Sequence, residues 1–149
     1  MESKEIITKS DKETQKLAGE MAQGMLKRED KGSLIIGLEG DLGSGKTTFI
    51  QGIAQGLGIK DKITSPTFVI MKKYPWEKGE FFHIDCYRIE SEDLLELDFK
   101  EIVNQPGNIV MIEWAERVRD ILPDNVVWMK FEHLGEDKRR IIYDKSSHF

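Results

Sequence analysis

The sequence predicts an α/β fold: a central, largely parallel sheet flanked by helices and closed by a C-terminal antiparallel hairpin. Three observations lead there. Residues 33–38 (SLIIGL) and 108–112 (NIVMI) are short apolar runs of the kind found in strands buried on both faces. Segments with apolar residues at helical spacing alternate with these runs, which is the pattern of strands crossed over by helices. Two further runs, 126–133 and 139–144, sit on either side of residues 134–138, a spacing that suits a hairpin.

Taken in order, Ser10 and Glu13 have the spacing of a capping box. Leu17, Ala18, Met21, Ala22 and Met25 then recur on one face, so residues 11 to 28 read as an amphipathic helix. After the strand at 33–38 comes a glycine-rich loop and a second helix from 45 to 57, with Gly58 as its C-terminal cap. Gly52 and Gly56 lower its helix propensity, and they predict a close approach to a neighbouring element. Residues 67–74 and 80–86 read as strands joined by a turn over 75–79. Residues 91–103 read as mostly helical, with Leu94, Leu95, Phe99 and Ile102 facing inward. No repeat, low-complexity tract or long linker interrupts the chain, and its 149 residues suit one domain.

Composition narrows the function. The chain is 39% hydrophobic and 33% charged, with a formal net charge of −5. That balance argues against a broad basic face for nucleic acid and against recruitment to an anionic membrane. The single cysteine, Cys86, excludes an internal disulfide, and it reads as a small buried residue. Neither a signal peptide nor an apolar run long enough to span a bilayer is evident, so a cytoplasmic protein is expected.

The loop carries the chemistry. Residues 40–47, GDLGSGKT, satisfy the phosphate-loop pattern at Gly40, Gly45, Lys46 and Thr47. Its glycines let successive amides point into one concavity that suits phosphate oxygens. The following helix offers its unpaired N-terminal amides to the same anion. Lys46 supplies a cation for the outer phosphates, and the Thr47 hydroxyl suits Mg²⁺. ATP with Mg²⁺ is the expected ligand, on a P-loop NTPase-like domain. Such a loop needs an acidic residue at the end of a neighbouring strand. Glu113 ends one apolar strand and Asp85 another, and spacing alone does not assign their roles. Thr67, in TSPTF, stands where a threonine senses the metal and the terminal phosphate, or simply where a strand begins.

GDLGSGKTTF, TSPTF, HIDCYRI and IEWAERV, in this order, resemble the bacterial TsaE family over nearly the whole chain. That family is the small ATPase needed to make threonylcarbamoyladenosine in tRNAs reading codons that begin with A. The resemblance implies that Thr47 and Glu113 bind Mg²⁺ and that Asp85 orients or activates the attacking water, with Lys46 and Thr67 as the other catalytic residues. It implies nucleotide contacts from Gly40, Asp41, Leu42, Gly43, Ser44, Gly45, Lys46, Thr47 and Thr48. Trp114 is expected near the nucleotide, Thr14 near the base, and Arg139 as a basic contact, with Lys138 and Arg140 as alternatives to it. His83 and Tyr87 are expected as catalytic neighbours or as residues that orient Asp85, and Arg88 in a salt bridge. The implied partners are the TsaD and TsaB proteins, with tRNA reached only through them and the free protein a monomer.

Two other classes are weaker. A small-molecule kinase needs a lid and an acceptor pocket, for which few residues remain. A GTPase finds a literal guanine signature in Thr8-Lys9-Ser10-Asp11, but upstream of the phosphate loop and with Ser10 better used as a helix cap.

Overall fold

The computed structural model describes residues 3–29, 32–41, 43–64 and 70–144. Leu42 and the 65–69 segment with Thr67 lie outside the described residues. Seven strands form one sheet in the order β1-β7-β6-β2-β5-β4-β3. They are β1 (Ser3–Thr8), β2 (Leu34–Glu39), β3 (Met71–Trp76), β4 (Gly79–Asp85), β5 (Ile109–Glu113), β6 (Val127–Gly135) and β7 (Lys138–Asp144). The centre, β6-β2-β5-β4, is parallel. Both margins are antiparallel, β3 on β4 at one side and β7 with β1 at the other.

Alternation along the central strands builds two cores. Ile36, Leu38, Phe81, Ile109 and Met111 face α1 (Asp11–Leu26) and α2 (Lys46–Gly56). Ile35, Phe82, Ile84, Val110 and Ile112 face α3 (Ser91–Leu95), α4 (Phe99–Asn104) and a 3₁₀ segment, Ala115–Ile121.

The predicted caps are present with one difference. Ser10 Oγ accepts from the Glu13 amide at 3.1 Å, but the Glu13 carboxylate accepts from Lys9, one residue before the cap, at 3.2 Å. Helix α2 ends in a Schellman motif: Gly58, with φ +85°, donates to Gln55 O, and Ile59 donates to Ala54 O. The expected close approach lies between α2 and α1. A Cβ on Gly52 would stand 2.7 Å from Ala18 Cβ, and one on Gly56 2.6 Å from Ala22 Cβ.

Two expectations need correction, and one strand was not foreseen. Residues 91–103 break into α3 and α4, with Asp98 between them in the left-handed region. Leu94 and Phe99 are both fully buried. Five residues apart on one helix they would point about 140° apart, so burying both requires a turn. The hairpin before β4 is tighter than predicted. Strand β3 starts at Met71 and includes Pro75, leaving Glu77 and Lys78 as the turn. Proline is tolerated there because β3 is the sheet edge. Finally, β1 was not evident in SKEIIT, where only Thr8 is buried and no apolar alternation marks a strand.

Candidate functional site

The phosphate loop joins the end of β2 to the start of α2, at the C-terminal edge of the parallel strands, where ligands of such sheets bind. Its shape depends on glycine. Gly40, Gly43 and Gly45 have φ of +142°, +76° and +99°, and a Cβ on Gly40 would collide with the Phe131 carbonyl and crowd Ser44 Oγ. Asp41 is exposed, and its carbonyl accepts from the Ser44 amide. Thr47 and Thr48 occupy the first turn of α2, half-buried.

Glu113 and Asp85 end neighbouring strands in register, β5 and β4. Their parity places them on the face of the sheet that carries Phe81 and Met111 toward α2. Thr47 Oγ1 lies 3.2 and 3.3 Å from the two carboxylate oxygens of Glu113. Glu113 is almost fully buried, and His83 Nε2 is 2.6 Å from its Oε2. His83 therefore bonds Glu113 and not Asp85. Asp85 is half-buried and accepts from the Tyr87 amide at 3.0 Å. Burial raises its pKa above the usual 3.8, against the stabilising Tyr87 bond, and the nearby Glu113 charge adds to the rise.

Lys46 is buried and donates to the Gly40 carbonyl. Desolvation lowers its pKa from the usual 10.5, opposed by the field of Glu113 and then of Glu116. Its Nζ also stands 3.9 Å from the centroid of the Trp114 ring. Trp114 reaches it by taking φ +57°, a left-handed backbone that costs an aromatic residue about 1–2 kcal/mol. The far side of the site continues outward, with the Tyr87 ring 5.0 Å from Trp114 and the Arg88 guanidinium 5.5 Å from Tyr87. Among the described residues Arg88 has no ion pair, contrary to expectation; the face of Tyr87 occupies it instead.

On the opposite side, Arg139 is buried and its Nε would be 3.1 Å from a Cβ on Gly45. Arg140 points elsewhere, to Glu5 at 2.6 Å and Glu132 at 3.4 Å, and Lys138 is exposed. The signal that separates them was in the sequence: Arg139 shares strand parity with the buried Ile141 and Tyr143. Thr14 lies near Arg139, since its hydroxyl is 2.7 Å from that of Thr8, which pairs with Arg139 across β1 and β7. That hydroxyl also donates to Ser10 O, so both of its roles are engaged within the fold. Cys86 is fully buried, and burial pushes its thiol up to about 12, consistent with an inert packing residue.

The residues present fit a phosphate chain with a hard divalent cation. Ser44 Oγ and Arg139 Nε are buried at the loop without partners among the described residues, positions an anion's oxygens would satisfy. A hydroxyl facing a carboxylate is an oxygen donor set of the kind Mg²⁺ prefers.

Comparisons with known proteins show the family. The family model described as threonylcarbamoyl adenosine biosynthesis protein TsaE matches residues 8–141. The chain belongs to the TsaE family. The tRNA threonylcarbamoyladenosine biosynthesis protein TsaE of Aquifex aeolicus is 38% identical over 145 residues, covering 95% of this chain and 97% of that protein. The TsaE protein of Treponema pallidum is 39% identical over 113 residues, 75% and 82% of the two chains. The crystal structure of Bacillus subtilis YdiB superposes with a TM-score of 0.69 at 29% identity, covering 95% of this chain and 84% of that one. Threonylcarbamoyladenosine biosynthesis is thus the process to which the TsaE family assigns the chain. No helix among the described residues is long and apolar enough to cross a membrane.

Proposed function

We propose that this TsaE protein is a Mg²⁺-dependent ATPase that drives TsaD and TsaB in threonylcarbamoylation of adenosine in tRNAs reading codons that begin with A. The observation that carries the reading is the Thr47–Glu113 pair set beside the buried Lys46 at one strand edge. The loop amides and Lys46 bind the phosphates, and Arg139 reaches the same loop from β7. Thr47 and Glu113 are the residues that would hold Mg²⁺, which when bound neutralises charge on the outer phosphates. Asp85, held by the Tyr87 amide beside Glu113, orients the attacking water. Its raised pKa makes it a better proton acceptor than an ordinary aspartate.

ATP is favoured over GTP because Thr8 to Asp11 is already used, Thr8 in the sheet and Ser10 in the helix cap. The negative net charge favours protein partners over direct tRNA binding, and we place the protein in the cytoplasm as a single domain. The test is ATP hydrolysis measured with and without purified TsaD and TsaB, alongside threonylcarbamoyladenosine formation on tRNA. Hydrolysis stimulated by the pair is expected. Phosphoryl transfer to a metabolite without either protein would replace this reading with a small-molecule kinase.

A further inference from the structure

We infer that His83 is the positioning residue for Glu113, fixing the carboxylate that would face Mg²⁺ rather than serving Asp85. The inference rests on the ATPase reading and deepens it. Its basis is the two-residue spacing of His83 and Asp85 on β4. Alternate residues of a strand share a face, and β4 runs parallel to β5 with Asp85 opposite Glu113. His83 therefore lies one step back on the same face, behind the Glu113 carboxylate as seen from the loop.

The contact is close and dry. Nε2 of the fully buried His83 is 2.6 Å from Glu113 Oε2, whose side chain is only 6% exposed. An ionised carboxylate accepts only, so Nε2 carries the hydrogen in this contact. Nδ1 is buried without a partner among the described residues, so Glu113 is the ring's one polar contact there. A glutamate side chain has several rotatable bonds, and Thr47 meets this one only through a pair of long contacts. The imidazole removes that freedom, since the buried ring cannot turn without losing its hydrogen bond. Residues that orient a metal-binding carboxylate commonly change metal affinity about 10- to 100-fold when replaced.

The experiment titrates Mg²⁺ against binding of a fluorescent ATP analogue to wild type, His83→Leu and His83→Gln, with melting temperatures recorded for each. Leu fills the space without a donor, whereas the Gln side-chain amide reaches the position of Nε2. For His83→Leu we expect the Mg²⁺ half-saturation point to rise about 10- to 100-fold, with analogue affinity in EDTA unchanged. His83→Gln is expected to recover most of the loss. If His83→Leu does not fold, His83→Asn against His83→Gln makes the same comparison, because the Asn amide overlays Nδ1 and should fail where Gln succeeds. Wild-type Mg²⁺ response in the donor-less variant would overturn the assignment. So would equal impairment of all variants in step with their melting temperatures. A wild type whose analogue binding ignores Mg²⁺ would instead bring down the ATPase reading, and this assignment with it.

Discussion

The two ends of the parallel strands are built on opposite terms. At the loop end, Ser44 Oγ, His83 Nδ1, Glu116 Oε1 and Arg139 Nε are buried without partners among the described residues. At the other end the polar groups named here are closed off. Lys78 Nζ donates to Leu26 O and Arg28 O, Trp76 Nε1 to Gly107 O, and Ser33 Oγ to Val103 O. Asn108 uses both ends of its amide, donating to Ile102 O and accepting from the Glu80 amide. A cavity of about 640 Å³ at that end is lined by Met25, Leu34, Trp76, Pro106 and Ile109, together with Arg28 and Lys78. An unpartnered buried polar atom costs about 1–3 kcal/mol. The molecule tolerates that cost at the end where we place phosphate and metal, and the polar groups named at the other end avoid it.

Three substitutions test this division, from the largest effect to the smallest. Lys46→Ala should weaken MgATP binding about 1,000-fold in calorimetry while leaving the melting temperature nearly unchanged, because burying the amine already opposes its charge. Wild-type affinity in that variant would erase the distinction between the two ends. Asp85→Asn should lower turnover about 100-fold with MgATP affinity preserved. Its stability follows from the sign of the shift. A carboxyl raised above its unfolded value binds its proton more tightly when folded, so its ionisation costs stability as pH rises past 3.8. The variant should therefore melt slightly higher than wild type at pH 7, and the gap should close as pH falls toward 3.8. Asn108→Ala should do the reverse. It leaves the Glu80 amide and Ile102 carbonyl unpaired, so about 1–3 kcal/mol of stability is lost in denaturant titration while MgATP affinity is untouched.

What was legible in the sequence was what local rules determine. The loop needs glycines at fixed positive φ, a lysine and a hydroxyl, and each stands where the pattern requires. The buried strands announced themselves as apolar runs, and the helix pair announced its contact through Gly52 and Gly56. What stayed hidden depends on distant partners. β1 is a strand because β7 pairs with it; the β-branched Ile6, Ile7 and Thr8 favour one, but no apolar alternation in SKEIIT marks it. The break between α3 and α4 comes from packing two bulky side chains against one sheet face. The partner of His83 was readable in part, since H-x-D puts both residues on one face. The neighbour on that face is known only once β4 lies beside β5. Trp114 was expected near the nucleotide, but no sequence rule gives an aromatic residue the left-handed turn that lays it on Lys46.

The pairing of Thr8 with Arg139 has a kinetic consequence. The loop is made from residues 40–47, yet the arginine that lies on it belongs to the last hairpin and is seated beside the first strand. Contacts between such remote parts of a chain form slowly, because a long loop must close before they bring any gain. During synthesis the phosphate loop would leave the ribosome long before Arg139 exists. A nascent chain thus carries the loop's glycine backbone without the arginine that lies on it, and the two come together only once β7 has been made.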